Sequence, residues 1–154
     1  MVGVRLTPAQ VLELMPQQRP FRFVDEILEV DGQRIAGRYT FRKDEWFYAG
    51  HFPGRPITPG VILLESMCQV GVVAMGIYLF ALERSVEEAR AWTTLFVEAE
   101  SEFLKSVLPG ETVTIRGEQI FWRRNKLRAR IEMFAADGTL VAQTTASGLG
   151  VRNG

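Results

Sequence analysis

The sequence predicts an α+β domain in which one curved antiparallel sheet of about six strands wraps one long central helix. Three observations lead to that class. Residues 61–82 carry a single charge, Glu65, and a helix that is apolar on all sides is one covered on most sides. Two alternating segments joined by Asp31-Gly32 precede it, and four more, divided by turn signals, follow it. No repeat, low-complexity tract or linker interrupts the 154 residues, a length that suits one domain.

Taken in order, Thr7 and Pro8 open a short amphipathic helix over residues 7–16. Val11, Leu12, Leu14 and Met15 form its apolar face, and Pro16 ends it. Arg19-Pro20-Phe21 leads into a strand over 22–30, with Phe23, Val24, Ile27 and Leu28 as its buried residues. Asp31-Gly32 has the composition of a hairpin turn. The return strand covers 33–41, with Ile35, Gly37, Tyr39 and Phe41 on one face by period-2 spacing. Residues 43–48 make a connector with helical-turn character. The next loop contains Pro53, Pro56 and Pro59, whose fixed φ angles stiffen it. Gly60 then opens the long helix, which runs to Glu83 and offers Gly71, Ala74 and Gly76 for close packing. Ser85 can cap a short helical or loop segment reaching Arg90. Strands over 92–103, 112–122, 127–134 and 140–151 complete the sheet, and their regular spacing predicts an antiparallel meander.

Composition excludes several functions. Hydrophobic residues are 47% of the chain, enough for a sizeable core. Lys+Arg and Asp+Glu balance at 18 each, which argues against nucleic-acid binding, since such proteins carry a basic excess. The run free of both Glu65 and Gln69, residues 70–82, falls short of the roughly 20 apolar residues of a membrane span. The single cysteine, Cys68, cannot form an intrachain disulfide and reads as a small buried hydrophobe. The first residues lack the apolar core of a signal peptide. A cytoplasmic protein without a membrane segment is the expectation.

The chemistry concentrates in residues 50–69. His51 is the only histidine and the only side chain here whose ordinary pKa lies near neutrality. Glu65 sits in an apolar segment, where burial favours the protonated acid. A base and a neutral carboxylic acid can remove one proton and deliver another. Gly60 stands at the helix N-terminus, where backbone N–H groups such as its own and that of Val61 are unsatisfied and can receive a developing oxyanion. From these residues alone the set supports an acid/base enzyme acting beside a carbonyl. It equally admits a structural loop histidine, a glutamate that closes a buried hydrogen bond or lines a dimer interface, and a Gln69 that merely orients Glu65 from four residues away.

The wider pattern narrows the choice. Gly50-His51-Phe52-Pro53-Gly54-x-Pro56-Ile57-x-Pro59-Gly60-Val61, followed by Leu64-Glu65-x-Met67-x-Gln69, resembles the signature of the FabZ-type (3R)-3-hydroxyacyl-[acyl carrier protein] dehydratases. Arg19-Pro20-Phe21-x-x-Val24-Asp25 and Val107-x-Pro109-Gly110-Glu111 resemble further motifs of that family. The resemblance implies a single hot-dog domain over residues 1–154 and a homodimer or trimer of dimers. It implies that the histidine of one subunit meets the acid of another. The implied reaction is loss of water from a 3-hydroxyacyl thioester, carried by phosphopantetheine on acyl carrier protein, to give the trans-2-enoyl thioester. No metal or other cofactor is implied. Under this reading His51 removes the C2 proton, Glu65 protonates the leaving hydroxyl with help from Gln69, and Gly60 polarises the carbonyl. Relatives that also isomerise the double bond carry Asp at the Glu65 position, so Glu65 favours simple dehydration.

The chain departs from the pattern at Thr58, where the family has Met, and at Glu102-Phe103, where it has a basic residue before Phe. These bear on chain length, carrier and pathway, with fatty acid, polyketide or aryl-polyene synthesis as contexts. Arg123, Arg124, Lys126 and Arg128 are the densest basic cluster, either a carrier contact or a solvated turn. Two other functions compete: acyl thioester hydrolysis on the same fold, and a non-catalytic acyl-binding or assembly subunit.

Overall fold

The computed structural model describes residues 3–154. Its elements are helix α1 (Pro8–Leu14), strands β1 (Glu26–Val30) and β2 (Arg34–Thr40), helix α2 (Gly60–Cys68), a π-helical segment (Gln69–Ala74), helices α3 (Met75–Glu83) and α4 (Val86–Arg90), and strands β3 (Trp92–Phe103), β4 (Thr112–Arg123), β5 (Lys126–Ala135) and β6 (Leu140–Arg152). The Arg19–Pro20 and His51–Phe52 peptide bonds are cis.

Helix α2, the π segment and α3 run on without a break and form the expected central helix, Gly60–Glu83. Its length and composition suit a membrane crossing, but 78% of its most apolar window is buried inside the domain. The sheet supplies that cover. Ile35, Tyr39, Val113, Ile115, Ile131 and Met133 all point inward and are fully enclosed. Gly71 and Gly117 bring helix and sheet unusually close: a Cβ on Gly71 would stand 2.4 Å from Ile131 Cγ1, and one on Gly117 would stand 3.1 Å from Gly71 Cα. The helix widens to π geometry over this contact, a local departure that is uncommon in ordinary helices.

The sheet is six-stranded and antiparallel, in the order β1-β2-β4-β5-β6-β3. This corrects the meander. Strands β1 and β2 are neighbours, as are β4, β5 and β6 in turn, but β3 crosses to the far edge and pairs with β6, so that β2 meets β4. Strand β3 thus lies on the edge opposite β1, and the last three strands fill the places between it and β2. A second correction concerns Leu28, which is 40% exposed. The ladder skips it between Ile27↔Gly37 and Glu29↔Ala36, and this bulge turns its side chain out. The strand over 22–30 also begins later than expected, at Glu26.

Local signals elsewhere act as read. Thr7 and Gln10 form a reciprocal capping box on α1, and Ser85 caps α4 through Glu88 N–H.

Candidate active site

The His51 loop is held from several directions. His51 N–H donates to the carbonyls of Phe47 and Tyr48, Ile57 N–H returns to His51 O at 2.9 Å, and Thr58 N–H donates to Val107 O at 2.9 Å. The imidazole stacks on Phe52 with ring centroids 4.1 Å apart. His51 Nδ1 lies 2.8 Å from Ile57 O. A carbonyl only accepts, so Nδ1 carries the proton and Nε2 of the neutral ring keeps the lone pair a base needs.

Thr58 is buried, and its hydroxyl lies 2.6 Å from Tyr48 Oη. A methionine there could not make this bond, so the departure at Thr58 is matched by a partner. Burial pushes the Tyr48 phenol above its ordinary range.

The same cleft, with a volume of about 340 Å³, is lined by His51, Thr58, Gly60, Leu63, Phe103 and Lys105. Gly60 and Val61 begin α2, with Pro59 as a cap that offers no side-chain hydrogen bond. Ile62 and Leu63 N–H both return to Pro59 O. Among the described residues nothing accepts from the N–H of Gly60 or Val61. A base and the positive end of a helix thus share one cleft. The Val61 side chain is 73% exposed.

Glu65 and Gln69 lie elsewhere. Gln69 is fully buried and satisfied: Oε1 accepts from Phe23 N–H at 2.8 Å, and Nε2 donates to Phe21 O at 2.8 Å and to Glu65 Oε2 at 2.9 Å. Ser66 Oγ adds a bond to Phe23 O. The Arg19–Asp25 motif is therefore the segment stitched onto the helix, and it fixes one oxygen of Glu65. Asp25 anchors the motif in turn, accepting from both Arg42 Nη atoms and from Thr40 N–H.

Glu65 is half-buried and opens, beside Gln17 and Cys68, onto a second cleft of about 140 Å³ whose other wall is Thr94, Leu95 and Phe96 of β3. Cys68 is the enclosed, inert thiol expected: burial first and the Glu65 charge second push its pKa up to about 12.

His51 and Gly60 are thus brought together, as are Glu65 and Gln69, but the cleft that His51 lines and the cleft that Glu65 lines are separate. Two elements wall both clefts: α2, through Gly60 and Leu63 in one and Glu65 and Cys68 in the other, and β3, whose first half walls the Glu65 cleft and whose end walls the His51 cleft. Sequence reading missed Gln17, which no motif marks, and Arg22, which holds that loop by donating to the carbonyls of Leu12, Met15 and Gln17. Glu102 lies on the opposite face of β3 from the His51 cleft and bonds Gln143, so its charge reversal falls outside that cleft. The Arg123–Arg128 cluster sits on the β4–β5 hairpin, where Asn125 meets Arg84 beyond the end of α3. That is the end of the central helix opposite His51, and Arg128 is paired with Glu98.

Residues 15–145 match the model of the FabA-like domain. The chain is 33% identical to the 3-hydroxyacyl-[acyl-carrier-protein] dehydratase FabZ of Moorella thermoacetica over 140 residues, 83% of this chain and 89% of the relative. The chain belongs to the FabA-like dehydratase family. A second dehydratase of the family, from Geotalea uraniireducens, is 37% identical over 118 residues, covering 75% of this chain and 77% of that protein. Among solved structures, a thioesterase from Haemophilus influenzae superposes with a TM-score of 0.69 at 16% identity, covering 99% of this chain and 96% of that one. A hypothetical thioesterase from Streptococcus pneumoniae, solved with coenzyme A, gives 0.56 at 12% identity over 83% and 86%. At such identities the likeness is one of fold: the hot-dog architecture that the family and these enzymes share.

Proposed function

We propose that this chain dehydrates (3R)-3-hydroxyacyl thioesters, presented on the phosphopantetheine arm of acyl carrier protein, to trans-2-enoyl thioesters. The observation that carries this reading is the His51 cleft, whose lining combines an imidazole bonded through Nδ1 to Ile57 O with Gly60, the first residue of α2, whose N–H has no partner among the described residues. The thioester carbonyl accepts from that N–H, which acidifies C2. His51 Nε2 takes the C2 proton, the electron pair forms the C2=C3 double bond, and the C3–O bond breaks. Glu65 gives its proton to the departing hydroxyl, which leaves as water. Because Gln69 Nε2 already occupies Glu65 Oε2, the acid proton belongs on Oε1.

The active site is assembled by a homodimer. Strand β3 is an open edge of twelve residues, and Leu95, Phe96, Val97, Phe103 and Leu104 are all exposed on or beside it. A long apolar edge strand invites pairing. Antiparallel pairing of β3 with its own copy about a two-fold axis sets residues 95–96 near the partner's strand end. The Glu65 cleft of one subunit then adjoins the His51 cleft of the other. A reducing, cytoplasmic setting suits the buried thiol.

The test is to incubate the protein with a 3-hydroxyacyl thioester on a carrier or pantetheine and follow products by mass spectrometry. Loss of one water that disappears in His51→Ala and in Glu65→Gln supports the reading. Release of free acid would instead assign thioester hydrolysis, and undiminished dehydration by both variants would remove the mechanism.

A further inference from the structure

Tyr48 and Thr58 take no part in the chemistry described above, yet they stand at the two ends of the loop that carries His51. Both are buried, and their hydroxyl oxygens lie 2.6 Å apart. What lies next to this bond is the peptide unit between Ile57 and Thr58. Such a unit is planar, so its carbonyl and its N–H turn together. The carbonyl end, Ile57 O, accepts from His51 Nδ1 at 2.8 Å, and the other end, Thr58 N–H, donates to Val107 O at 2.9 Å. Ile57 N–H closes on His51 O at 2.9 Å, and Tyr48 O accepts from His51 N–H at 3.3 Å. The stack on Phe52 sets the plane of the imidazole but not which edge faces Ile57, because a ring rotated by half a turn stacks equally well. It is the Ile57 carbonyl that distinguishes the two ring nitrogens, since it accepts and cannot donate.

We infer that Tyr48 and Thr58 are positioning residues, whose hydroxyl bond holds the Ile57 carbonyl against His51 Nδ1 and so keeps the lone pair of the base on Nε2. The inference rests on the reading of His51 as the base. Neither hydroxyl is asked to touch the substrate. With the bond gone, Thr58 and the peptide unit before it gain freedom, and the Nδ1 bond is broken part of the time. The ring then samples the tautomer in which Nε2 carries the proton and cannot accept one. One hydrogen bond between neutral groups changes such a population by about two- to tenfold, and the rate falls by that factor.

His51 is the only histidine, so isotopically labelled histidine followed by long-range proton–nitrogen NMR reports this one imidazole, independent of turnover. In the wild type, at a pH where the ring is neutral, Nδ1 carries the proton and Nε2 does not. Tyr48→Phe and Thr58→Val each delete one hydroxyl at nearly constant shape. In each, the two nitrogen signals move toward one another as the tautomers mix, and kcat for water loss from a 3-hydroxyacyl pantetheine falls by about two- to tenfold while KM holds. Thr58→Ser, which keeps the hydroxyl, retains the wild-type spectrum. The double variant Tyr48→Phe/Thr58→Val separates positioning from stability. It leaves neither hydroxyl unpaired, so it melts above either single variant, but its spectrum and its kcat stay with theirs. A spectrum unchanged in both single variants overturns the inference, and so does a double variant whose kcat recovers along with its melting temperature. Tautomers that mix as expected in a protein whose wild type releases no water leave the pair in its role and remove the dehydratase reading.

Discussion

Two inactive variants should restore one another. His51→Ala and Glu65→Gln each lack one half of the proposed site, and the two halves lie in separate clefts of a subunit. When the two proteins are unfolded together in equal amounts and refolded, subunits reassociate at random and about half of the dimers carry one of each. In such a dimer one site combines both lesions. The other combines the intact His51 of the Glu65→Gln subunit with the intact Glu65 of the His51→Ala subunit. One site in two works in half of the dimers, so the mixture recovers about a quarter of wild-type activity. The background is low, because loss of a general acid or base costs about 10²–10⁴ in rate. The assay is the mass-spectrometric loss of water, with each variant refolded alone as the control. A mixture no more active than its components would show that His51 and Glu65 do not meet across an interface, and the argument from β3 would fall.

Three further outcomes follow from the packing and the charges. Gln69→Leu removes bonds to Phe23 N–H, Phe21 O and Glu65 Oε2; a buried N–H left without a partner should cost about 3 kcal/mol in a urea titration. Gly71→Ala sets a methyl 2.4 Å from Ile131 Cγ1 and should cost about 2 kcal/mol, with an unaltered melting curve as the refuting result. Cys68 ionises near its ordinary value when unfolded but only at about 12 when folded. The unfolded chain therefore loses its thiol proton first as pH rises. Wild-type stability relative to Cys68→Ala should be constant below about pH 8.5 and then fall by up to about 1.4 kcal/mol per unit toward the folded pKa; parallel curves from pH 7 to about 10 would contradict the burial.

What could be read in the sequence was what local chemistry decides. The N-cap Thr7, the cap Ser85 and the apolar stretch from Gly60 to Glu83 each depend on residues close in the chain, and each is where it was expected; the return bond from Gln10 that completes the capping box was not read. Strand positions followed from alternation, but alternation reports which face a residue takes and not which strand it pairs with. That is why β3 was placed in a meander while it lies against β6, fixed by contacts some forty to sixty residues away. Leu28 failed for a related reason: a bulge shifts the alternation without leaving a mark in composition. At the site, His51, Gly60, Glu65 and Gln69 were legible as residue types at a spacing. Their division between two clefts was not, because it depends on which way the helix turns each one relative to β3.

The arrangement of the central helix also constrains how the protein can be made. Its sequence emerges from the ribosome long before β4, β5 and β6, and the sheet that hides it closes only when β6, ending at Arg152, has paired with both β5 and β3. Until then the nascent chain displays a 24-residue apolar helix indistinguishable by length and composition from a membrane anchor. The long sequence separations in the β3–β6 pairing make that closure slow compared with helix formation. A chain that stops between Glu83 and Arg152 lacks some of the strand pairs that cover this helix and keeps part of its apolar surface exposed, the condition under which chains aggregate.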